Sequence, residues 1–143
     1  TTIALQNLAK AYKNQFQIET IGITGSNGKT IVKEWLNFLL SPDYSVVRSP
    51  KSFNSQVGVP LSIFGINENH TLGIFEAGIS LKGEMQHLAE IIQPNIGIFT
   101  HLGNAHQEGF TTVEEKIIEK CQLFSKAEVL ILEKNDWNIP TRA

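Results

Sequence analysis

The residue pattern that most clearly suggests chemistry is a glycine-containing turn, TGSNGKT at residues 24–30, between an apolar run and a helical pattern. Its glycines allow a tight turn that brings backbone N–H groups close to an anion. The start of the following helix adds unpaired N–H groups and a partial positive charge. A strand, a turn and a helix in this order are typical of a phosphate-binding loop. The residues predicted to hold nucleotide phosphates are Gly25, Ser26, Asn27, Gly28, Lys29 and Thr30.

Two side chains of this loop have specific predicted roles. Lys29 is expected to reach the terminal phosphates, and the Thr30 hydroxyl is expected to bind Mg²⁺. The spacing departs from the common pattern, because the position five residues before Gly28 holds Ile23 instead of glycine. The alternative is an ordinary glycine-rich turn that contains Gly-Lys-Thr by chance, which the flanking strand and helix disfavour.

Alternating strands and helices must position this loop. Apolar runs predict strands at 18–24, 44–48, 71–76, 95–100 and 128–132. Helical spacing predicts helices at 5–14, 29–40, 57–66 and 84–92, and a last one from a capping box at 111–114 to about residue 125. Strands that are apolar throughout and alternate with helices indicate an α/β fold, with a mostly parallel sheet covered by helices on both faces. The predicted core positions of helix 29–40 are Val32, Trp35, Leu36, Leu39 and Leu40.

Further polar groups lie at the edge of the sheet where ligands bind, the carboxyl ends of the strands. They are Asn54 after the second strand, Glu76 at the end of the third, His101 and His106 after the fourth, and Lys120 on the helix that follows. A carboxylate that ends an apolar strand needs a partner. Glu76 is therefore either a Mg²⁺ ligand or one half of a salt bridge at the strand terminus.

The histidines and Lys120 leave alternatives open. His106 is a candidate metal ligand or phosphate contact, or a simple loop histidine, and the case for His101 is weaker. Lys120 has apolar residues at helical spacing, namely Val113, Ile117, Leu123 and Phe124. A lysine buried among them would have a lowered pKa or a partner, whereas a lysine that snorkels along the helix would have neither.

The composition narrows the class of protein. The chain has 143 residues, 41% of them hydrophobic, which is ordinary for one soluble globular domain. A net charge of −2 gives no electrostatic basis for binding nucleic acid or an anionic membrane, and no apolar run approaches the roughly 20 residues that span a bilayer. The single cysteine, Cys121, fits a reducing cytoplasm. Because the sequence lacks an initiator methionine, we expect a fragment of a longer protein.

The order of these motifs resembles the ATP-dependent Mur ligases of peptidoglycan synthesis. The likeness runs through residues 23–30, Asn54, residues 57–61, 76–78 and 83–84, Pro94, and residues 103–110, and it ends near Lys120. Within the family, GVPL at 58–61 and AHQEGF at 105–110 are most similar to the ligases that add D-alanyl-D-alanine to a UDP-N-acetylmuramoyl tripeptide.

The resemblance implies ATP and Mg²⁺ as cofactors and assigns roles to residues. The loop at 25–30 and Asn54 would hold the nucleotide, and Thr30 and Glu76 would bind one Mg²⁺. His106 would help to bind a second Mg²⁺ together with Lys120, which matches a lysine that is carbamylated in the family. Lys29, His106 and Lys120 are then the catalytic candidates. The sequence departs from the family pattern at Ser55, His101, Cys121 and Gln122, which affects individual phosphate and metal contacts.

The resemblance also implies a place in a larger enzyme. Residues 1–143 would be a single domain, the front part of the central ATP-binding domain of a three-domain cytoplasmic ligase, and inactive alone. Some ligases of this kind are fused to alanine racemase, and the parent chain is a candidate for such a fusion. Two other interpretations stay open: a related amide ligase, such as a folylpolyglutamate synthase, and a non-catalytic nucleotide-binding module.

Overall fold

A parallel β-sheet forms the centre of the computed structural model, which describes residues 1–101, 103 and 109–133. In these residues the sheet has five strands, in the order β2-β3-β1-β4-β5. All neighbouring strands are parallel. The strands are β1 Glu19–Thr24, β2 Val46–Arg48, β3 Leu72–Glu76, β4 Ile96–Phe99 and β5 Val129–Leu132. The predicted α/β class is confirmed, and each strand is shorter than its predicted apolar run by one or two residues.

Helices cover both faces of this sheet. They are α1 Thr2–Lys13, α2 Lys29–Leu40, α3 Gly58–Ile63, α4 Glu84–Ile92 and α5 Val113–Cys121, followed by a 3₁₀ turn at Gln122–Phe124. Helix α2 packs on the face that carries Ile21, Ile23 and Ile74, whereas the other helices surround Phe75 and Phe99 on the opposite face. In the part of the chain that the structure describes, none of these helices is both long and apolar enough to cross a membrane.

The strand order brings three carboxyl ends together. The central strand β1 has β3 on one side and β4 on the other, so the loops that follow these strands leave the sheet side by side. The register pairs Ile23 with Glu76 and Thr24 with Phe99. As a result, the carboxylate at the end of β3 lies directly beside the start of the glycine-containing turn. A crevice at such a switch in strand order is where ligands bind in open α/β sheets.

Two glycines allow the 3₁₀ turn to lie directly on the sheet. Gly22 and Gly97 are register partners on the face opposite to α2. A Cβ atom added to Gly97 would lie 2.2 Å from the Phe124 ring, and one added to Gly22 would lie 2.9 Å from Pro94. Larger residues would therefore push the turn off the sheet. The turn begins directly after α5, so its close approach also fixes the position of the helix that carries Lys120.

The buried stripe of α2 is narrower than its sequence predicts. Val32, Leu36 and Leu40 pack against the sheet as expected. Trp35 and Leu39 are 67% and 66% exposed, so their predicted core positions are wrong. The reason is geometric: residues 32, 36 and 40 follow one another along one line of the helix surface, and residues 35 and 39 flank that line.

Helix α5 begins one residue later than the predicted capping box. Thr112 is the N-cap residue, and its side chain accepts a hydrogen bond from the Glu115 N–H at 3.1 Å. The Glu115 carboxylate in turn accepts one from the Thr111 N–H at 3.1 Å. The predicted box that starts at Thr111 and includes Glu114 is therefore shifted by one position, because the sequence offers two adjacent threonines followed by two adjacent glutamates.

The threonine pair allows a matched test of this cap. Thr112→Ala should destabilise the first turn of α5 by about 1 kcal/mol, because it removes the side-chain acceptor. In the full-length protein this would appear as roughly fivefold faster amide hydrogen exchange at Glu115. Thr111→Ala is the control, since only the backbone of Thr111 bonds to Glu115. Equal exchange rates in the two variants would contradict the assignment of the cap.

Candidate functional site

The glycine-containing turn has the backbone geometry of an anion-binding loop. Gly25 and Gly28 have positive φ angles of 146° and 82°, in the region that favours glycine. A Cβ atom at Gly25 would lie 2.0 Å from the Thr100 hydroxyl oxygen. Gly28 is the N-cap residue of α2, and none of the side chains that the structure describes caps this helix end. The N–H groups of the first turn of α2 therefore point out of the helix without a side-chain acceptor, as phosphate binding requires.

The end of β4 holds this loop in place. The Thr100 hydroxyl donates to the carbonyl of Asn27 at 2.6 Å, and the Ser26 N–H donates to the carbonyl of His101 at 2.9 Å. The Ser26 N–H is therefore engaged within the protein in this structure. Sequence reasoning missed Thr100, although its position directly after an apolar strand was an available signal. His101 supports the loop through its backbone, while its side chain is exposed, with Nδ1 3.7 Å from a Glu133 oxygen.

The Lys29 ammonium folds back over the loop. Its Nζ donates to the carbonyl of Gly25 at 3.1 Å. Burial lowers the pKa of Lys29, the charge of Glu76 acts against this shift, and the charge of Lys116 adds to it. The Lys29 ammonium thus lies against the loop and near the charge of Lys116, and this concentration of positive charge favours binding of an anion at the loop.

An oxygen cluster lies beside the loop, where α2, β3 and the segment after β2 meet. The Thr30 hydroxyl donates to Glu76 Oε2 at 3.1 Å, and the Asn54 amide donates to the same oxygen at 3.3 Å. The Ser52 hydroxyl lies 3.4 Å from the Thr30 hydroxyl. The structure thus brings together the predicted residues Thr30, Asn54 and Glu76. Hydroxyl and carboxylate oxygens are the donors that Mg²⁺ prefers.

This donor set fits Mg²⁺ bound together with phosphate, but it does not form a cage made of protein alone. Within residues 1–101, 103 and 109–133, no group of three or more histidine, cysteine, aspartate or glutamate side chains is arranged to hold a metal. Mg²⁺ commonly binds through one or two protein oxygens and completes its shell with water and substrate phosphate.

The other oxygen of Glu76 faces a lysine that sequence reasoning missed. Lys33 Nζ lies 2.9 Å from Glu76 Oε1, and both side chains are fully buried. Oε1 accepts no hydrogen bond from the described residues, so the charge of Lys33 compensates it as an ion pair. The salt-bridge alternative for Glu76 is therefore realised on Oε1, while Oε2 faces the loop. The sequence signal for Lys33 was its helical spacing: it follows Lys29 by four residues and therefore lies on the same side of α2.

Lys120 lies inside the protein. It is 4% exposed, so its ammonium does not snorkel to solvent. Three of the four predicted apolar neighbours, Ile117, Leu123 and Phe124, are also buried. Burial, with smaller contributions from the charges of Lys29 and Lys116, lowers the pKa of Lys120 to about 7.

These charge effects indicate that three lysines lie near one another: Lys29 at the start of α2, and Lys116 and Lys120 on α5. Lys116 was not predicted, although it lies four residues before Lys120 and therefore on the same side of the helix. His106 lies outside the described residues, and its role as a metal ligand stays a prediction.

Comparison with known proteins identifies the family. Residues 23–140 match the family described as the Mur ligase middle domain. This chain belongs to the Mur ligase family. The match begins directly before the loop and includes Lys33, Glu76 and Lys120, so the described site lies within the residues that match this family.

Two similar relatives carry the name of the same ligase. The UDP-N-acetylmuramoyl-tripeptide–D-alanyl-D-alanine ligase of Treponema pallidum is 42% identical over 127 residues, which are 88% of this chain and 28% of that protein. The enzyme of the same name from Borreliella burgdorferi is 37% identical over 135 residues, 93% of this chain and 29% of that protein. The Mur ligase chain thus spans less than a third of the length of these relatives.

Solved structures agree with this family. A crystal structure of MurF from Acinetobacter baumannii superposes with a TM-score of 0.87 at 27% identity, over 94% of this chain and 30% of that one. The MurF ligase of Thermotoga maritima in complex with ADP gives a TM-score of 0.84 at 29% identity, over 94% of this chain and 33% of that one. The parallel sheet and its helices are therefore the fold of the corresponding part of MurF.

Proposed function

We propose that this Mur ligase chain is the ATP-binding part of an enzyme that joins D-alanyl-D-alanine to a UDP-N-acetylmuramoyl tripeptide. The observation that carries the proposal is the arrangement at the carboxyl edge. An uncapped helix start, the Thr30–Asn54–Glu76 oxygen cluster and the lysines around Lys29 all face the same end of β1, β3 and β4. The names of the relatives at 42% and 37% identity support the choice of substrates.

The proposed reaction has two steps. The terminal carboxylate of the tripeptide attacks the γ-phosphorus of ATP, which forms an acyl phosphate and releases ADP. The amine of D-alanyl-D-alanine then attacks the acyl carbon, an amide bond forms, and phosphate leaves with the loss of one amine proton. The residues of this chain act by holding the phosphates in line and by neutralising the charge that develops on them. Lys29 and the N–H groups at the start of α2 provide that charge and those donors.

Thr30 and Glu76 are the proposed ligands of one Mg²⁺, and Lys120 with His106 are the proposed ligands of a second. When bound, Mg²⁺ supplies positive charge to phosphate oxygens and so lowers the cost of moving negative charge between them. The oxygen cluster fits this role because Oε2 of Glu76 and the Thr30 hydroxyl are adjacent. Lys120 fits the role of a Mg²⁺ ligand only after its charge has changed, because an ammonium does not bind a cation.

The proposed setting of the chain is the front part of the middle domain of a longer cytoplasmic enzyme. The relatives that carry the ligase name are more than three times as long, so further parts of such an enzyme would bind the UDP-sugar peptide and the dipeptide. The proposal includes fusion of the parent protein to alanine racemase. The sequence of the parent protein tests this part.

Substrate dependence tests the proposed function. The full-length protein should release phosphate from ATP only when a UDP-N-acetylmuramoyl tripeptide and D-alanyl-D-alanine are both present, measured by coupled phosphate release. Residues 1–143 alone should release none, because they span less than a third of the relatives' length.

Three results would contradict the proposal. Dipeptide-dependent phosphate release by the 143-residue chain would refute the need for further domains. Turnover of the full-length protein with a folate and glutamate in place of the muramoyl substrates would identify a different amide ligase. Nucleotide binding without any turnover would identify a non-catalytic module.

A further inference from the structure

A buried lysine joins three elements behind the oxygen cluster. Lys33, on α2, is fully buried. Its Nζ lies 2.9 Å from Glu76 Oε1 on β3, and it donates to the carbonyl of Ser49 at 2.8 Å and to the carbonyl of Lys51. An ammonium is costly to bury unless it is paired and hydrogen-bonded. Here two carboxylates and two carbonyls compensate it: besides buried Glu76, the partly exposed Glu34 on the same helix lies 3.3 Å from Nζ. The site is therefore built around the lysine.

The segment after β2 is shaped around this ammonium. Lys51 has a positive φ of 48°, which is uncommon for a residue other than glycine. Its carbonyl, like that of Ser49, is directed at Lys33. The Ser49 hydroxyl accepts a hydrogen bond from the Glu76 N–H at 3.2 Å, which ties the same segment to β3. The chain then continues to Ser52 and Asn54, which contact Thr30 and Glu76.

Lys33 also determines which oxygen of Glu76 faces the loop. With Oε1 held by the ammonium, Oε2 is the oxygen that meets the Thr30 hydroxyl and the Asn54 amide. A carboxylate without this partner would be free to turn about its last bond. The orientation of the carboxylate and the path of residues 49–54 thus depend on the same ammonium.

We propose that Lys33 is a positioning residue for the cation and nucleotide site. It fixes Glu76 so that Oε2 faces Thr30, and it holds the segment that carries Asn54, without itself reaching the phosphates. This inference rests on the proposed function, because it assumes that a nucleotide and Mg²⁺ bind at this edge. It adds a residue to which the sequence analysis assigned no role.

The test uses three variants of the full-length protein and one control. Lys33→Met keeps the length of the side chain and removes its charge. Because this leaves the Glu76 carboxylate buried without a counter-charge, the double variant Lys33→Met/Glu76→Gln removes both charges and protects the fold. Lys33→Arg restores a charge with a different shape. The control is Lys10→Met, which breaks an exposed lysine–glutamate pair of similar distance, 2.8 Å to Glu90.

The measurements are ADP binding by calorimetry with and without Mg²⁺, Mn²⁺ binding in the presence of ADP by electron paramagnetic resonance, and thermal unfolding. In Lys33→Met, ADP binding without metal should stay near that of the wild type, because the loop is intact. The Mg²⁺-dependent gain in ADP affinity and the affinity for Mn²⁺ should fall about 10- to 100-fold, as is typical when a residue that orients a metal ligand is removed. The double variant should unfold at a higher temperature than Lys33→Met and still lack the metal-dependent gain.

The outcomes show whether Lys33 positions the metal-binding groups or only stabilises the fold. Lys10→Met should retain the full metal-dependent gain, and Lys33→Arg should recover only part of it. If folded Lys33→Met keeps the wild-type metal dependence and loses only thermal stability, the inference is wrong while the proposed function stands. If the wild-type protein binds ADP with no effect of Mg²⁺, or does not bind it, both the inference and the proposed function are overturned.

Discussion

Lys29→Ala is expected to abolish turnover of the full-length ligase while the protein stays folded. The Lys29 ammonium lies against the loop, 3.1 Å from the Gly25 carbonyl, and its role is to present charge to the terminal phosphates. A charge-assisted phosphate contact contributes about 1.5–3 kcal/mol to binding. Removing a group that acts on charge developing in the transition state typically lowers kcat by about 10²–10³-fold. The rate of phosphate release should therefore fall below detection in an ordinary assay.

A second lysine separates loss of function from loss of fold. Lys126 is exposed and lies before β5, at the edge opposite to the loop, so Lys126→Ala should have normal kcat and KM. Thermal unfolding should be similar for both variants, because Lys29 forms no ion pair with a carboxylate among the described residues. A Lys29→Ala enzyme with near-normal kcat and native thermal stability would show that the phosphate-loop assignment is wrong.

The fold and the position of the loop could be predicted because both follow from local patterns. An apolar run, a glycine turn and a helical pattern are read within about 20 residues, and helices α2 and α4 begin and end at the predicted residues. The meeting of Thr30 with Glu76 needs one further rule, that parallel strands place their carboxyl ends together. The register of Ile23 with Glu76 confirms that rule for this sheet.

Other parts of the site depend on partners that no local pattern contains. Lys33 follows Lys29 at helical spacing, but no local pattern identifies its partners, because the carbonyls of Ser49 and Lys51 lie in a segment without regular structure. Thr100 is another case, since its hydroxyl bonds to the Asn27 carbonyl 73 residues away. Hydrophobic spacing also does not determine how wide the buried stripe of a helix is. For this reason the predicted core position of Trp35 on α2 is wrong.

Lys120 is expected to be carbamylated in the active enzyme. Burial lowers its pKa to about 7, so roughly half of its side chains are neutral amines at pH 7, against less than about one in a thousand for an ordinary lysine. The neutral amine adds to the carbon of CO₂: an N–C bond forms, one C–O π bond opens, and a proton is released. The product is a carbamate anion, which converts a residue that repels cations into one that can bind them. Burial among apolar residues thus favours the form that reacts.

Three variants of the full-length enzyme test this chemistry. Lys120→Ala should lower turnover by about 100-fold or more, as expected for a lost metal ligand, and a small carboxylic acid in solution should restore part of it by supplying the missing anion. Lys120→Arg should stay inactive with or without the acid, because arginine keeps its charge and cannot be carbamylated. Lys126→Ala, with the acid added, controls for a general effect of the acid on the assay.

Two roles of Lys120, a cation that attracts phosphate and a carbamate anion that binds metal, predict opposite activities for Lys120→Arg. If the buried cation were needed only to attract phosphate, arginine would supply the same charge and Lys120→Arg would be active. If an anion is needed, Lys120→Arg is inactive and the acid rescues only the alanine variant, which leaves room for it. The structure favours an anion, because Lys29 and Lys116 already supply positive charge beside Lys120, and a third ammonium among apolar residues is destabilised by both. An active arginine variant would therefore exclude carbamylation as a requirement for catalysis.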